Sequence, residues 1–236
     1  MNYSETFESA RRIRPRIWDV DYCLLIGLKK AIMEFCSNHV KPNSSIIDFG
    51  CGAKPYRTLF PATCKYIGID ACKSPYADIT VNEDGTVPLP TGSCDFIIST
   101  QVVYLVADFP LYLKECKRLL KKDGKMLITT HGNWTYHPAS GADYYRFTQD
   151  GLRLILEDAG LVAEEIGPIV GTLGQGLHIR QLVFNHWLRK IRCGWLANAM
   201  NCFTNLRILL EDSITPLGTR MSAPVIFHAV AKCKDN

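Results

Sequence analysis

Two histidines, a tryptophan, three tyrosines, an aspartate and an arginine fall within residues 131–146. The first stretch reads Thr130-His131-Gly132-Asn133-Trp134-Thr135-Tyr136-His137-Pro138, and the second Asp143-Tyr144-Tyr145-Arg146-Phe147-Thr148. An imidazole takes or gives a proton near neutral pH, so His131 and His137 are the candidate bases. Either can equally be satisfied within a loop hydrogen-bond network. Asp143 can orient a histidine or cap a local turn. Tyr144 and Tyr145 can wall a pocket, offer a phenol or simply pack. The planar fork of Arg146 suits a carboxylate or phosphate, and a salt bridge to Asp143 or Glu157 is its structural alternative. A buried scaffold does not need this set of side chains.

A second constellation lies upstream in Ser45-Ile46-Ile47-Asp48-Phe49-Gly50-Cys51-Gly52-Ala53-Lys54-Pro55-Tyr56. A short apolar run ends at Asp48 and passes into two glycines separated by Cys51. Gly50 and Gly52 accept backbone angles closed to other residues and put no Cβ in the way of a ligand. The turn then offers backbone N–H groups above the strand's carboxyl end, where open α/β sheets bind ligands. Lys65-Tyr66-Ile67-Gly68-Ile69-Asp70 is a second β-branched run, and its terminal acid is placed to accept two ribose hydroxyls. A third glycine is absent, with Ala53-Lys54-Pro55 in its place, so a nucleoside without phosphates suits the turn better than a dinucleotide.

With these two strand-end acids and the glycine pair, the chain resembles the class I S-adenosylmethionine-dependent methyltransferases, from about Ser44 to Ala163 and again near the C-terminus. The 131–147 stretches are similar to HG-W-YHP and DYYR-F-T elements of a bacterial subgroup of that family. The resemblance implies S-adenosylmethionine as cofactor, with Asp48, Gly50, Cys51 and Gly52 at the first turn and Asp70 on the ribose. It implies an acid for the adenine amino group. Asn82 stands closest to that position, with Asp78 and Asp84 as competitors. Gln101, just past the fourth strand, is placed to touch cofactor or substrate, or to make a local hydrogen bond. Many relatives carry Glu-His where Tyr104-Leu105 stands here, so no base is assigned there. The implied activity is methyl transfer to a small-molecule or glycan acceptor at oxygen, with His131 or His137 as base. Two rival readings are a non-catalytic nucleoside-binding or scaffold protein of the same fold and an NAD-dependent oxidoreductase.

These residues need a sheet to bring them to one edge. Apolar Leu24, Leu25, Leu28, Ile32 and Phe35 recur at helical spacing and predict a helix over 21–40. Strands are expected at 45–49, 65–70, 77–81, 94–99, 125–130, 161–169 and 224–232. Helices are expected at 111–122 and, capped by Thr148, at 149–159. Alternating strands and helices predict an α/β fold. It is a doubly wound, mostly parallel seven-stranded sheet of Rossmann-like type, and the resemblance makes the last strand antiparallel between the fifth and sixth. Residues 1–43 read as an N-terminal arm and helix, the first 19 being a flexible arm or a lid. Residues 44–236 read as the cofactor-binding domain, with a helical insertion over 173–222. Within it, Gly171, Gly174 and Gly176 suggest a flexible loop before a partly basic helical run over 177–210. That run suits a cap on the domain, a homodimer face or peripheral contact with an anionic membrane.

The 236 residues can bury a full core, with 47% hydrophobic and 21% charged residues. A net charge of +4 gives no electrostatic footprint for nucleic acid. Ten cysteines without a CxxC pair read as reduced thiols of a cytoplasmic protein, with no structural zinc or other metal expected. The arginine-rich N-terminus does not read as a secretory signal.

Overall fold

Seven strands form one sheet in the order β3-β2-β1-β4-β5-β7-β6 in the computed structural model, which describes residues 10–136 and 142–234. They are β1 (Ser45–Phe49), β2 (Lys65–Asp70), β3 (Ile79–Thr80), β4 (Cys94–Thr100), β5 (Leu120–His131), β6 (Leu161–Ile169) and β7 (Ile226–Cys233). β1 to β5 pair in parallel, while β7 runs antiparallel between β5 and β6. Parallel pairing sends the ends of β1, β2, β4 and β5 to one edge. Gly50, Asp70, Gln101 and His131 therefore lie along the same rim.

Successive side chains of a strand point to opposite faces, and both faces of the central strands are covered. Ile46, Ile98 and Leu127 pack on one face with Ile32 and Phe35 of α1 (Tyr22–His39). Ile47, Ile97, Met126 and Ile128 pack on the other with α2 (Phe109–Leu119) and α3 (Gln149–Asp158), through Leu113, Cys116, Leu152 and Leu156. Asp108 caps α2 by accepting from the Leu111 N–H at 3.0 Å, and Thr148 caps α3 by accepting from Gly151 at 3.0 Å. Gly160 stops α3 with φ +76°.

Some boundaries differ from the sequence reading. The third strand is only Ile79–Thr80, at the sheet edge. α2 ends at Leu119, because the chain from Leu120 already pairs with Cys94 of β4. Between β1 and β2 a single 3-10 turn forms, Arg57–Leu59.

The largest difference is in the insertion. The chain is helical from Thr172, and the expected glycine loop is the first turn of α4 (Thr172–Lys190). A Cβ on Gly174 would lie 2.9 Å from Val170 and 3.0 Å from Ile208, so the glycine permits close helix packing rather than flexibility. The helical run also breaks at Arg192, with φ +62°, and returns as α5 (Gly194–Ile214), followed by α6 (Leu217–Ser222). Leu177 and Ile208 join Leu24 and Leu28 of α1 and Ile226 of β7 in a separate apolar cluster that fixes this hairpin to the sheet.

Candidate functional site

The turn after β1 is held by its neighbours rather than by its own residues. The N–H groups of Gly50 and Cys51 donate to the Ile69 carbonyl at 2.8 and 3.0 Å. Gly52 donates to the Asp70 carboxylate at 2.9 Å, so the second strand's acid sits directly against the turn. Gly50 has φ +79°, and a Cβ there would lie 2.3 Å from a methyl of Val102. Gly52 has φ +49° and nothing within 4 Å of a built Cβ, so the turn is open on that side. Cys51 is a packing group, its thiol pushed up to about 12 by burial.

Asp48 lies beneath the turn, 1% exposed. One carboxylate oxygen accepts from the Tyr66 hydroxyl at 2.6 Å, and the other is buried without a hydrogen-bond partner. Burial pushes this carboxyl up to about 7, against the opposing pull of the Tyr66 hydrogen bond and of the charges on Lys54 and Arg12. Gln101 sits just past β4 in the left-handed region, φ +60°. Its backbone and side-chain N–H groups donate to Thr129 Oγ1 at 3.1 and 3.2 Å, which leaves its carbonyl oxygen buried without a partner. Two buried acceptor oxygens thus flank the glycine turn. Such groups are costly when left bare and suit a ligand carrying N–H donors.

The adenine candidates lie in the loops after β2 and β3 and make local contacts. Asn82 is exposed and donates to Thr86 Oγ1 at 3.0 Å, while Asp84 accepts from the Thr86 N–H and hydroxyl at 2.9 and 2.6 Å. Asp78 pairs with Lys54 at 2.6 Å and accepts from the Gly68 N–H at 2.7 Å. A Cβ on Gly68 would strike Lys54 and Cys51, so this glycine makes room for both side chains below the turn.

His131 ends β5 and is 6% exposed. Tyr104 packs on its ring, with centroids 4.5 Å apart, and Trp134 stacks on it at 5.6 Å and 13°. Beyond Trp134 comes His178 of α4, stacked at 5.1 Å and 16°. Tyr104 therefore forms an aromatic wall beside His131. His137 lies outside the described residues.

Arg146 is fully engaged within the loop. Its Nε donates to the Trp134 carbonyl at 3.2 Å. One Nη donates to the carbonyl of Thr135 at 2.7 Å and to Asp143 at 2.6 Å, the other to the carbonyl of Tyr145 at 2.8 Å and to Asp143. All five donors are spent, and the guanidinium also lies 5.7 Å from the Tyr104 ring centroid. Asp143 and Arg146 thus form a salt bridge, one of the alternatives left open by the sequence, and tie the two loop stretches together. Tyr144 is exposed at its side chain, and its N–H donates to the Tyr104 carbonyl at 3.0 Å.

His178 was not found from sequence. It is fully buried, and burial pushes its imidazolium down to about 4. Its tautomer follows from a relay of amides. Asn201 Nδ2 donates to the Trp18 carbonyl at 3.0 Å, and Asn205 Nδ2 donates to those of Ile17 and Asp19 at 2.8 and 2.9 Å. Backbone carbonyls only accept, so the oxygens of both asparagines face Gln181 Nε2, at 3.2 and 3.3 Å. The Gln181 oxygen is then left facing His178 Nδ1 at 3.1 Å, which must carry the proton. His178 Nε2 is consequently a bare lone pair, buried without a hydrogen-bond partner. The same asparagines tether residues 17–19, so that part of the N-terminal arm is held against α5. The charge of Arg12 reaches both Asp48 and Tyr104, which places the arm near the turn.

Against this geometry, residues 25–166 match the family model described as a methyltransferase domain. The chain belongs to this family, the class I S-adenosylmethionine-dependent methyltransferases. Two probable S-adenosylmethionine-dependent methyltransferases of Mycobacterium tuberculosis, from strains CDC 1551 and H37Rv, are each 30% identical over 81 residues. That match covers 32% of this chain and 30% of the length of each relative. Among solved structures, a putative sarcosine dimethylglycine methyltransferase from Galdieria sulphuraria aligns with TM-score 0.60 and 14% identity, over 89% of this chain and 87% of its own. The Burkholderia thailandensis 1,6-didemethyltoxoflavin-N1-methyltransferase, with its substrate and S-adenosylhomocysteine bound, aligns with TM-score 0.56 and 12% identity, over 98% and 87%. The [4+2]-cyclase SpnF reaches TM-score 0.56 at 13% identity, over 87% and 80%, so this fold is also shared by a protein named for a different reaction.

Proposed function

We propose that the chain transfers a methyl group from S-adenosylmethionine to a small-molecule or glycan acceptor at oxygen, with His131 as the base. The observation that carries this reading is the pair of bare acceptor oxygens, on Asp48 and Gln101, beside an open glycine turn. These groups fit a nucleoside carrying an ammonium group. Asp70 would release the Gly52 N–H and take the ribose hydroxyls. Burial raises the Asp48 carboxyl, and a nearby cation would favour its carboxylate form, which accepts from that cation.

When bound, the cofactor supplies an electrophilic methyl on a sulfonium. The chain's task is then to align a nucleophile, exclude water and remove a proton. His131 stands at the rim between two aromatic rings, positioned to take the proton of an acceptor hydroxyl. The rings of Tyr104 and Trp134 hold the His131 ring between them. Arg146 and Asp143 hold the loop that carries Trp134. His178 Nε2, with its lone pair, suits a neutral hydroxyl or amine donor of the acceptor on the far side of Trp134. His137 is retained as an alternative base from its position in the sequence.

The test is methyl transfer from radiolabelled donor across an acceptor panel, with wild-type protein and a His131→Asn variant. Turnover should fall at least about 100-fold in the variant, within the range for loss of a general base, while S-adenosylhomocysteine still binds. Unchanged turnover would remove His131 from the mechanism. A second reading, nucleoside binding without catalysis, is favoured by Tyr104-Leu105 replacing the Glu-His of relatives. Cofactor binding with no transfer to any acceptor in the panel would support it.

A further inference from the structure

The α4–α5 hairpin buries a polar relay beside Leu177, Leu188 and Ile208 and leaves large apolar side chains outside. A surface helix in water turns its apolar stripe inward and its polar face outward. On α5 the buried positions are Ala197, Asn201, Asn205 and Ile208, while Trp195, Phe203, Leu210 and Ile214 point to solvent. On α4, His178 and Gln181 are buried, while Phe184 and Trp187 are exposed. The exposures are large: 55% for Trp187, 74% for Trp195, 70% for Phe203 and 72% for Ile214. The hairpin's interior is occupied by the Gln181–Asn201–Asn205 relay, with Asn201 also donating to Asn185 at 3.0 Å. Exposed apolar side chains in such number are not ordinary for a protein surface and mark an interaction face.

Charge identifies the occupant. Between Glu165 and Glu211 the chain has no Asp or Glu, but it carries Arg180, Arg189, Lys190, Arg192 and Arg207. Arg207 pairs with Glu211 at 2.7 Å; among the described residues, no carboxylate pairs with the other four. A second copy seated on the same face by a two-fold axis would set these cations near their own equivalents, with no acid in the segment to compensate. An anionic lipid surface complements them and takes up the tryptophans and phenylalanine at its headgroup boundary. Among the described residues no helix is long and apolar enough to cross a membrane, so the hairpin would lie on the surface rather than span it.

We propose that the outer face of α4 and α5 docks on an anionic lipid bilayer. The same hairpin carries His178 on its inner side, so docking would bring the acceptor side of the site close to the lipid. The docking itself does not depend on methyl transfer.

Co-sedimentation of the full chain with extruded vesicles tests this directly. The protein should pellet with phosphatidylcholine vesicles containing phosphatidylglycerol, stay in solution with phosphatidylcholine alone, and be released by salt. Combined Trp187→Glu, Trp195→Glu and Phe203→Glu substitutions should weaken partitioning by about tenfold or more, since each removes a large apolar contact. The milder pair Lys190→Gln and Arg192→Gln should reduce the preference for phosphatidylglycerol while leaving the circular dichroism spectrum unchanged. Wild-type protein that stays in solution with anionic vesicles would overturn the proposal. So would pelleting that survives the triple substitution. A stable dimer in sedimentation velocity that the same substitutions disperse, with no vesicle binding, would assign the face to a second copy instead.

Discussion

Asp48 and His178 are buried titratable side chains whose shifts give opposite pH dependences. The folded state raises the Asp48 carboxyl to about 7, so it binds a proton more tightly than the unfolded chain does. Its contribution to stability is therefore present at low pH and declines as pH rises from the ordinary carboxylate range toward about 7, by at most about 1.4 kcal/mol per pH unit. Asp48→Asn keeps an acceptor for the Tyr66 hydroxyl and removes that slope. Urea unfolding at several pH values should show the variant gaining on the wild type as pH rises to 7; parallel curves would contradict the assignment. His178 behaves in the opposite sense. Its folded value, near 4, lies below the unfolded one, so its neutral form contributes stability that is lost as pH falls below the ordinary imidazole range. Nitrogen NMR of the labelled imidazole should report Nδ1–H and a bare Nε2, with no protonation above about pH 5. A midpoint at an ordinary histidine value, or the other tautomer, would break the amide relay. Neither property was legible in the sequence. His178 lies in no motif, and its state is set by carbonyls of residues 17–19, far away in the chain.

At the scale of elements, the loop after β5 depends on Arg146. Its guanidinium joins three backbone carbonyls and Asp143 over a sequence separation of up to 12 residues, a pattern that lysine, with three donors on one nitrogen, cannot reproduce. Arg146→Lys is expected to cost roughly 1–3 kcal/mol in chemical denaturation. It should lower transfer activity without changing the affinity for S-adenosylhomocysteine. Equal loss of both would mean that the loop also shapes the cofactor site. Elements with strong local signals were readable. β1, β2 and β4 show as apolar runs ending at Asp48, Asp70 and Ser99, and α3 as a Thr148 cap with a Gly160 stop. The insertion was legible as helical, with its apolar side open to a cap, a homodimer face or a membrane, but its start was misread. Its glycines looked like loop residues, whereas Gly174 is there to let Ile208 approach. The Asp143–Arg146 pair was one of two readings open for that spacing, and only the fold chose between them.

Over the whole molecule, parallel strand order brings four separate segments to one rim: the glycine turn, Asp70, Gln101 and the His131 loop. The doubly wound sheet was legible because alternating strands and helices admit few topologies, whereas the family and the place of the antiparallel last strand came from the resemblance carried by the glycine turn and the strand-end acids. The bare oxygens of Asp48 and Gln101 were not, since an orphaned acceptor arises only when the rest of the fold has satisfied its neighbours. The account rests on this rim binding S-adenosylmethionine. Asp70→Ala should weaken that binding by roughly 10–100-fold, the loss of charge-assisted hydrogen bonds, without unfolding the protein; retained affinity would mean the nucleoside is held by other groups. The most direct measurement is calorimetric titration of the wild-type protein with S-adenosylhomocysteine, with NAD as the comparison. The account predicts one site of micromolar affinity for the first and no binding of the second. No heat with S-adenosylhomocysteine, or tighter binding of NAD, would contradict it.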